Sequence, residues 1–434
     1  MNIKKEWRAL LLIVGGFFLF YFLPVGWDKF NTAVISSLEL ARWYAREHVI
    51  LCLLTAFFIA GAIAVFLNEK TVIKYLGAEA NKVVAYGVAS VSGSILAVCS
   101  CTVLPLFNGI YRMGAGLGPA VSFLYSGPAI NVLAIVLTAR ILGWQLGVAR
   151  ALGAVIFSIV IGLLMHFIFI KDEIENKRKA QLVEDEGEGR PLWQTVIYFA
   201  GMVGVLVFAN WGKPQQVEGI WHLIYACKWW LTAGFALLVG ASLVAWFKLA
   251  LWKFLLGIII VGMTAFYFPD YPQLAFGIGA VYLAVSIYSS NEELEKWLGE
   301  SWGFARQILP LLLGGVLVAG IFFGLPGGKG GLIPHRWVAG LVGGNSLFAN
   351  FIAAISGALM YFATLTEVPI LKGLLDSGMG YGPALALLLA GPAVSLPNLL
   401  VIHSVLGTRK TSVYFVLVVI MSTVAGWIYG AWLV

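Results

Sequence analysis

The sequence predicts an all-α, polytopic helical membrane protein, with about 11 transmembrane helices plus two re-entrant or broken segments and inverted internal repeats. Of its 434 residues, 60% are hydrophobic and 11% are charged, and the mean hydropathy is +0.91. A soluble domain carries about 25% charged residues, so this chain lacks the polar surface that water requires. Glycine is scattered through the apolar runs, which favours helices over the alternating strands of a barrel. Runs long enough to span a bilayer include residues 9–25, 49–67, 146–170, 303–324 and 412–434.

Two stretches of the chain repeat each other. Residues 92–131 align without a gap with residues 356–395, at an offset of 264 positions (356 − 92). Fourteen positions are identical, and nine of them are Gly or Pro, which set backbone shape. Hydrophobic segments interrupted by Gly and Pro at matching places in two halves are typical of the binding region of a transporter. We therefore expect both stretches to build the site.

The repeat divides the chain into five parts. They are residues 1–47 (an N-terminal helix and loop), 48–170 (transmembrane repeat 1), 171–191 (a charged cytoplasmic linker), 192–302 (intervening transmembrane helices) and 303–434 (transmembrane repeat 2). Lys and Arg in short loops favour the cytoplasmic side. This rule places the N-terminus and the linker on the cytoplasmic side of the membrane, and it makes the two repeats inverted. Arg42, Arg46, Arg140 and Arg150 do not fit this topology.

The first repeat carries two cysteines beside a proline. Because Pro105 cannot donate a backbone hydrogen bond, we expect a helix break near Cys101 to Pro105 that leaves backbone groups free. On unwound backbone, Cys99 and Cys101 would lie on one side and could bind one soft metal or metalloid. The alternative is that they are buried free cysteines, which behave as small hydrophobes. The other two cysteines, Cys52 and Cys227, are isolated in the sequence, and the four do not form a disulfide framework.

The second repeat carries a carboxylate in place of the thiols. Glu367 occupies the position that corresponds to Val103, inside an apolar segment where a charge is costly. Desolvation disfavours the charged form of such a group, which fits a proton-coupling role. The alternative is that Glu367 reaches water at a loop. In the functional interpretation, Glu367 and the thiols face each other across the midplane.

A second pair of breaks is expected at Pro128 and Pro392. Next to them, Asn131, Ser395 and Asn398 offer neutral donors and acceptors to a cavity, although side chains of this kind also join helices in membranes. The predicted substrate-binding residues are Cys99, Cys101, Thr102, Pro105, Pro128, Asn131, Pro369, Pro392, Ser395, Pro397 and Asn398.

Charge and missing motifs narrow the function classes. The net charge of +7 is attributed to loop Lys and Arg that face anionic lipid headgroups, so the expected partner is the lipid bilayer and not a nucleic acid. The chain has no P-loop, no HExxH and no GxSxG motif. We expect neither an enzyme nor a primary pump, and no cofactor. The sequence leaves the oligomeric state open.

At these motifs the chain resembles the predicted-permease family that includes the bacterial organoarsenical efflux permeases. The resemblance rests on AVCSCTVLPLFNGIYRMGAGLGPA, FLYSGPAINVLAIVLT and TEVPILKGLLDSGMGYGPALALLLAGPAVSLPNLL, which lie in the two repeats. It implies an inner-membrane secondary transporter that exports trivalent arsenicals or related thiophilic species, with the two thiols as candidate ligands. Carried over by position, it points to Cys99, Cys101, Pro105, Gly127, Pro128, Asn131, Glu367, Pro369, Pro392, Ser395, Pro397 and Asn398.

Two other functions fit the same residues. One is a permease for a sulfur compound or a soft metal ion. The other is a membrane thiol oxidoreductase that passes electrons through Cys99 and Cys101, since closely spaced cysteines can form a strained, reducible disulfide. Such an enzyme would need a second thiol pair or a cofactor.

Overall fold

The computed structural model of the chain describes most of its residues. These are residues 7, 10, 14–18, 20–66, 81–96, 100–130, 132–172, 191–211, 220–325, 329–332, 340–360, 367–376 and 378–432. Cys99 and Asn131 lie outside this set. Cys101 and Pro369 are described by their backbone alone.

The described secondary structure is helical, apart from two short strands. The first half of the chain holds α1 (Asp28–Tyr44), a π-helix (Ala45–Leu53), α2 (Leu54–Phe66), α3 (Lys82–Leu96), α4 (Ser100–Arg112), α5 (Leu117–Ala129), α6 (Val132–Ile141), α7 (Trp144–Ile168) and α8 (Leu192–Ala209). The second half holds α9 (Ile220–Phe247), α10 (Leu251–Tyr267), α11 (Pro272–Tyr288), α12 (Glu292–Phe323), β1 (Gly324–Leu325), β2 (Lys329–Gly330), α13 (Leu347–Leu359), α14 (Glu367–Asp376), α15 (Tyr381–Val394) and α16 (Leu396–Trp432). The strands pair antiparallel.

The helices confirm an all-α, polytopic membrane fold. Within the described residues, five helical segments are long and apolar enough to cross a bilayer: Val49–Phe66, Trp144–Ile168, His222–Phe247, Glu292–Phe322 and Leu396–Trp432. Shorter apolar helices accompany them. Helix α10 has no buried residue and exposes large apolar side chains, as expected of a lipid-facing helix. The count of about 11 crossings and the inversion of the repeats stay predictions.

The sequence offset of 264 also relates the helices. Helices α5 and α15 begin at Leu117 and Tyr381, and α7 and α16 end at Ile168 and Trp432, in each case 264 residues apart. Helix α16 is two helices joined by a kink at Gly407, where φ is 78°. That kink corresponds to Gly143, the residue between α6 and α7, where φ is 107°. We call two residues that are separated by this offset counterparts.

Glycines bring the same helices together in both halves. A Cβ atom on Gly162 of α7 would lie 2.7 Å from the carbonyl oxygen of Gly118 in α5. Its counterpart Gly426 in α16 would meet the carbonyl oxygen of Gly382 in α15 at 2.5 Å. Side chains at either position would push the helices apart, so the shared glycines fix a shared packing.

The structure contradicts one predicted break and confirms another. Helix α4 runs continuously from Ser100 through Pro105, so the chain is not broken at Cys101 to Pro105, and residues 97–99 before this helix lie outside the described residues. The proline lies in the second turn and removes a single helix hydrogen bond, which leaves the carbonyl of Cys101 without its usual donor. The second pair of breaks is confirmed, since α5 ends one residue after Pro128 and α15 ends two residues after Pro392.

Candidate functional site

The two repeats meet at the centre of the molecule through α5 and α15. All of α5 is buried, and α15 is buried from Gly382 to Val394. The hydroxyl of Tyr125 in α5 donates a hydrogen bond of 3.0 Å to the carbonyl oxygen of Leu389 in α15. Because Leu389 is the counterpart of Tyr125, this bond marks the line about which the two halves are related.

Close to this line, a buried ion pair connects the repeats. Nη2 of Arg150, in the second turn of α7, lies 3.0 Å from Oε2 of Glu367, the first residue of α14. The two side chains are 0% and 1% exposed. Charged groups at this depth are costly and mark functional sites in membrane proteins. The position of Glu367 at the start of a helix also favours its negative charge.

A threonine orients the arginine. The hydroxyl of Thr138 in α6 donates its proton to the carbonyl oxygen of Ala134 at 2.7 Å, and it accepts a bond of 3.0 Å from Nη1 of Arg150. Two polar atoms of the pair, Nε of Arg150 and Oε1 of Glu367, have no hydrogen-bond partner among the described residues. The pair is therefore joined end-on by one bond, although a guanidinium and a carboxylate can form two.

The burial of Glu367 excludes one of its two interpretations, and the proton-coupling role stays a prediction. A side chain that is 1% exposed does not reach water at a loop, so that alternative is excluded. The prediction that it faces the thiols concerns side chains that lie outside the described residues. Sequence reasoning missed Arg150, which it treated as an exception to the loop-charge rule. The available signal was an arginine within an apolar run that also supplies a long helix, Trp144–Ile168.

The opposite half of the molecule has no such pair. The counterparts of Arg150 and Glu367 are Tyr414 (150 + 264) and Val103 (367 − 264). The hydroxyl of Tyr414 donates a bond of 3.4 Å to the carbonyl oxygen of Ala393, beside the break in repeat 2. The symmetric scaffold thus carries an asymmetric polar centre.

The break between α15 and α16 holds two of the predicted neutral residues. Ser395 and Asn398 are each 2% exposed. Asn398 donates a bond of 3.3 Å to the carbonyl oxygen of Pro392, whereas its Oδ1 atom and the hydroxyl of Ser395 have no partner among the described residues. Buried polar atoms usually have partners, so these two are available to water or to a bound molecule. Pro397 is also buried here, at the second position of α16.

A further cysteine joins the region of the predicted thiol pair. The thiol of Cys52, in the π-helix, lies 2.7 Å from the hydroxyl of Thr102 in α4, and both residues are buried. Cys52 is therefore not isolated, because the chain brings it next to the residue that follows Cys101. π-Helical turns are frequent at functional sites, since they shift side chains out of the regular helical register. Cys227 is exposed on α9.

The described part of the chain shows no group of three or more His, Cys, Asp or Glu side chains that could hold a metal ion. The expected ligands Cys99 and Cys101 have side chains outside the described residues. The proposed binding of a metal or metalloid by these two thiols stays a prediction.

Comparison with known proteins identifies relatives of the whole chain. A family model described as "Predicted permease" matches residues 36–431. UPF0718 protein MJ0584 of Methanocaldococcus jannaschii is 44% identical over 389 residues, which cover 89% of this chain and 93% of that protein. UPF0718 protein YraQ of Escherichia coli is 30% identical over 131 residues, which cover 30% of this chain and 35% of that protein. No solved structure matches the chain. A chain matched over nearly its full length, with broken helices meeting at its centre, belongs to this predicted-permease family.

Proposed function

We propose that the protein is a secondary active permease of the cell inner membrane that exports trivalent arsenicals, or other small thiophilic species, in exchange for protons. The observation that carries the proposal is the buried pair of Arg150 and Glu367, which bridges the two repeats. A buried ion pair is weak as a device for stability, because desolvation offsets most of its Coulomb energy. Its presence between two broken-helix repeats fits a site where charge moves during transport.

The substrate is proposed to bind beside this pair. In the proposal, Cys99 and Cys101 hold the thiophilic centre, while Ser395 and Asn398 contact it from the second break. Soft thiolate ligands suit such a centre. The unpartnered oxygen atoms of Ser395 and Asn398 support a polar cavity on that side. The same proposal keeps the N-terminus and the 171–191 linker in the cytoplasm, as the Lys and Arg distribution predicts.

A growth screen tests the proposal. An arsenical-sensitive bacterial strain that expresses the chain is challenged with methylarsonous acid, arsenite, copper and sulfur oxyanions. We expect resistance to the trivalent arsenicals, accompanied by their accumulation in everted membrane vesicles. Resistance to copper or to sulfur oxyanions alone would instead favour the other permease functions.

Variants of the thiols test the ligand role. The double variant Cys99→Ser, Cys101→Ser should lose resistance, whereas Cys227→Ser, which changes an exposed thiol, should keep it. Full resistance in the double variant would refute the ligand role. Capture of a mixed disulfide with a soluble redox partner would favour an oxidoreductase.

A further inference from the structure

We infer that Arg150 is the positioning residue of the coupling step: it holds Glu367 as a carboxylate while the repeats are in contact, so that Glu367 binds a proton when the repeats separate. This inference rests on the proposed proton-linked transport. It adds Arg150 to the predicted site residues. It also makes the protonation of Glu367 a consequence of movement between α7 and α14.

The geometry of the pair suits release. Arg150 is held to repeat 1 by Thr138, through Nη1, and to repeat 2 by Glu367, through Nη2. The contact between Arg150 and Glu367 is one end-on bond, and Nε and Oε1 have no partner among the described residues. A displacement of α14 from α7 by a few ångströms would therefore break the pair and leave the arginine attached to its own repeat. The carboxylate would then be buried without its counter-charge, which is the condition in which a carboxyl group takes up a proton.

The pair is specific to one arrangement of the repeats. If the repeats exchanged their positions during alternating access, the counterpart contact would join Tyr414 to Val103, which cannot form an ion pair. Glu367 is thus charged in the arrangement seen here and loses its partner in the other. A protonation change that follows the arrangement of the repeats is what coupling to a proton gradient requires.

Other titratable groups do not take over the role of Arg150. Helix α14 packs against α6 and α15. Arg140 is exposed near the end of α6, and Tyr381 is exposed at the start of α15. On α7, His166 is 16 residues beyond Arg150, which is about 24 Å along the helix.

The other titratable side chains around Glu367 are neutral or exposed. The hydroxyls of Tyr125 and Tyr414 donate to backbone carbonyls, so they hold no charge against Glu367. On α14 itself, Lys372 is exposed, and the side chain of Asp376 is outside the described residues. Among the described residues, Arg150 is the charged group that contacts Glu367.

Infrared spectroscopy of the purified full-length protein in liposomes tests the inference without a substrate. A protonated carboxyl group has a carbonyl stretch that a carboxylate lacks. At neutral pH we expect no such band from Glu367 in the native protein, so Glu367→Gln should remove none. Arg150→Gln should create the band, and the double variant Arg150→Gln, Glu367→Gln should abolish it. Arg140→Gln, which changes an exposed arginine on α6, should resemble the native protein.

A second variant covers the case in which Arg150→Gln does not fold. Glu367→Asp shortens the side chain by one methylene group, so it ends the 3.0 Å contact and should create the band while every other residue is unchanged. A band of protonated Glu367 in the native protein would overturn the inference. The absence of this band in the variants that remove the contact with Arg150 would also overturn it.

Transport separates this inference from the proposed function. In everted vesicles with an acidic interior, native protein should accumulate methylarsonous acid faster than without the gradient. Cys227→Ser, which changes an exposed thiol, should keep this response, whereas Arg150→Gln should transport at a rate that the gradient no longer changes. Failure of the native protein to transport the probe would refute the proposed function and leave the infrared result standing. A full gradient response in Arg150→Gln would refute the coupling role of Arg150.

Discussion

Removal of one partner of the buried ion pair should destabilise the protein far more than removal of both. Arg150→Met leaves the carboxyl group of Glu367 in a site where it is 1% exposed and has no counter-charge, and Glu367→Gln leaves the Arg150 guanidinium at 0% exposure. The loss of one partner from a buried pair costs about 3–5 kcal/mol of unfolding free energy. When both partners are replaced by neutral groups of similar volume, the desolvation penalty disappears along with the attraction, and the change is often close to zero.

The coupling energy between the two residues can be worked out from a double-mutant cycle. If the two side chains acted independently, the double variant Arg150→Met, Glu367→Gln would lose roughly 6–10 kcal/mol by simple addition. Since they act as a pair, we expect the double variant to lose less than either single variant. The coupling energy should then be about 3 kcal/mol or more, at the upper end of values for residues in contact.

The assay is equilibrium unfolding of the purified protein in mixed micelles, with the free energy of unfolding extrapolated to zero denaturant. Arg140→Met is the matched control, because Arg140 is an exposed arginine on the adjacent helix α6. Exposed charges contribute little, so the control should change stability by less than about 1 kcal/mol. Additive losses in the double variant would refute the interpretation that the pair acts as a unit.

Three further predictions follow from other contacts. Gly162→Ala and Gly426→Ala should each lower the unfolding free energy by about 1–3 kcal/mol, because the new methyl group meets a carbonyl oxygen. Gly234→Ala is the control and should not lower it, since no atom lies within 4 Å of the new methyl group. Equal stability of all three variants would contradict this packing. In native protein, mass-spectrometric mapping should show Cys52 alkylated by N-ethylmaleimide more slowly than the exposed Cys227, and the difference should vanish on unfolding. Ser395→Ala should leave stability unchanged, since its hydroxyl has no partner among the described residues, yet slow methylarsonous acid transport by about 2–10-fold, the value of one hydrogen bond; unchanged transport would remove Ser395 from the site.

Local sequence rules predicted the helices and one of the two types of break. Helix α5 ends one residue after Pro128 and α15 ends two residues after Pro392, as expected of a residue that removes a backbone donor and disfavours a helical conformation before it. Pro105 shows the limit of the same rule. It lies early in α4, and the helix continues past it to Arg112. A proline predicts a lost hydrogen bond, but the surrounding packing decides whether the helix ends there.

The polar centre could be predicted only in part. Glu367 was identifiable because a carboxylate within an apolar repeat is costly wherever its partner lies. Arg150 was not, since it is 217 residues away and an arginine near the start of an apolar run resembles a loop charge. Cys52 was missed for a similar reason, because its neighbour Thr102 is 50 residues further along the chain. In each case the missing information was a contact between segments that are distant in sequence.

In the proposed mechanism, the buried pair of Arg150 and Glu367 allows a repeated scaffold to alternate in a directed way. If the two halves were identical, their two arrangements would have equal free energies. A proton would then bind equally well to both arrangements. In this chain, Tyr414 and Val103 occupy the positions of Arg150 and Glu367 in the other half, so the pair contributes to one arrangement only. Each 1.4 kcal/mol of such a difference shifts the populations about tenfold. Protonation of Glu367 would remove the difference, because a neutral carboxyl group no longer prefers the arginine. In the proposed mechanism, the repeated Gly and Pro residues provide two related arrangements, and protonation of Glu367 shifts the population between them.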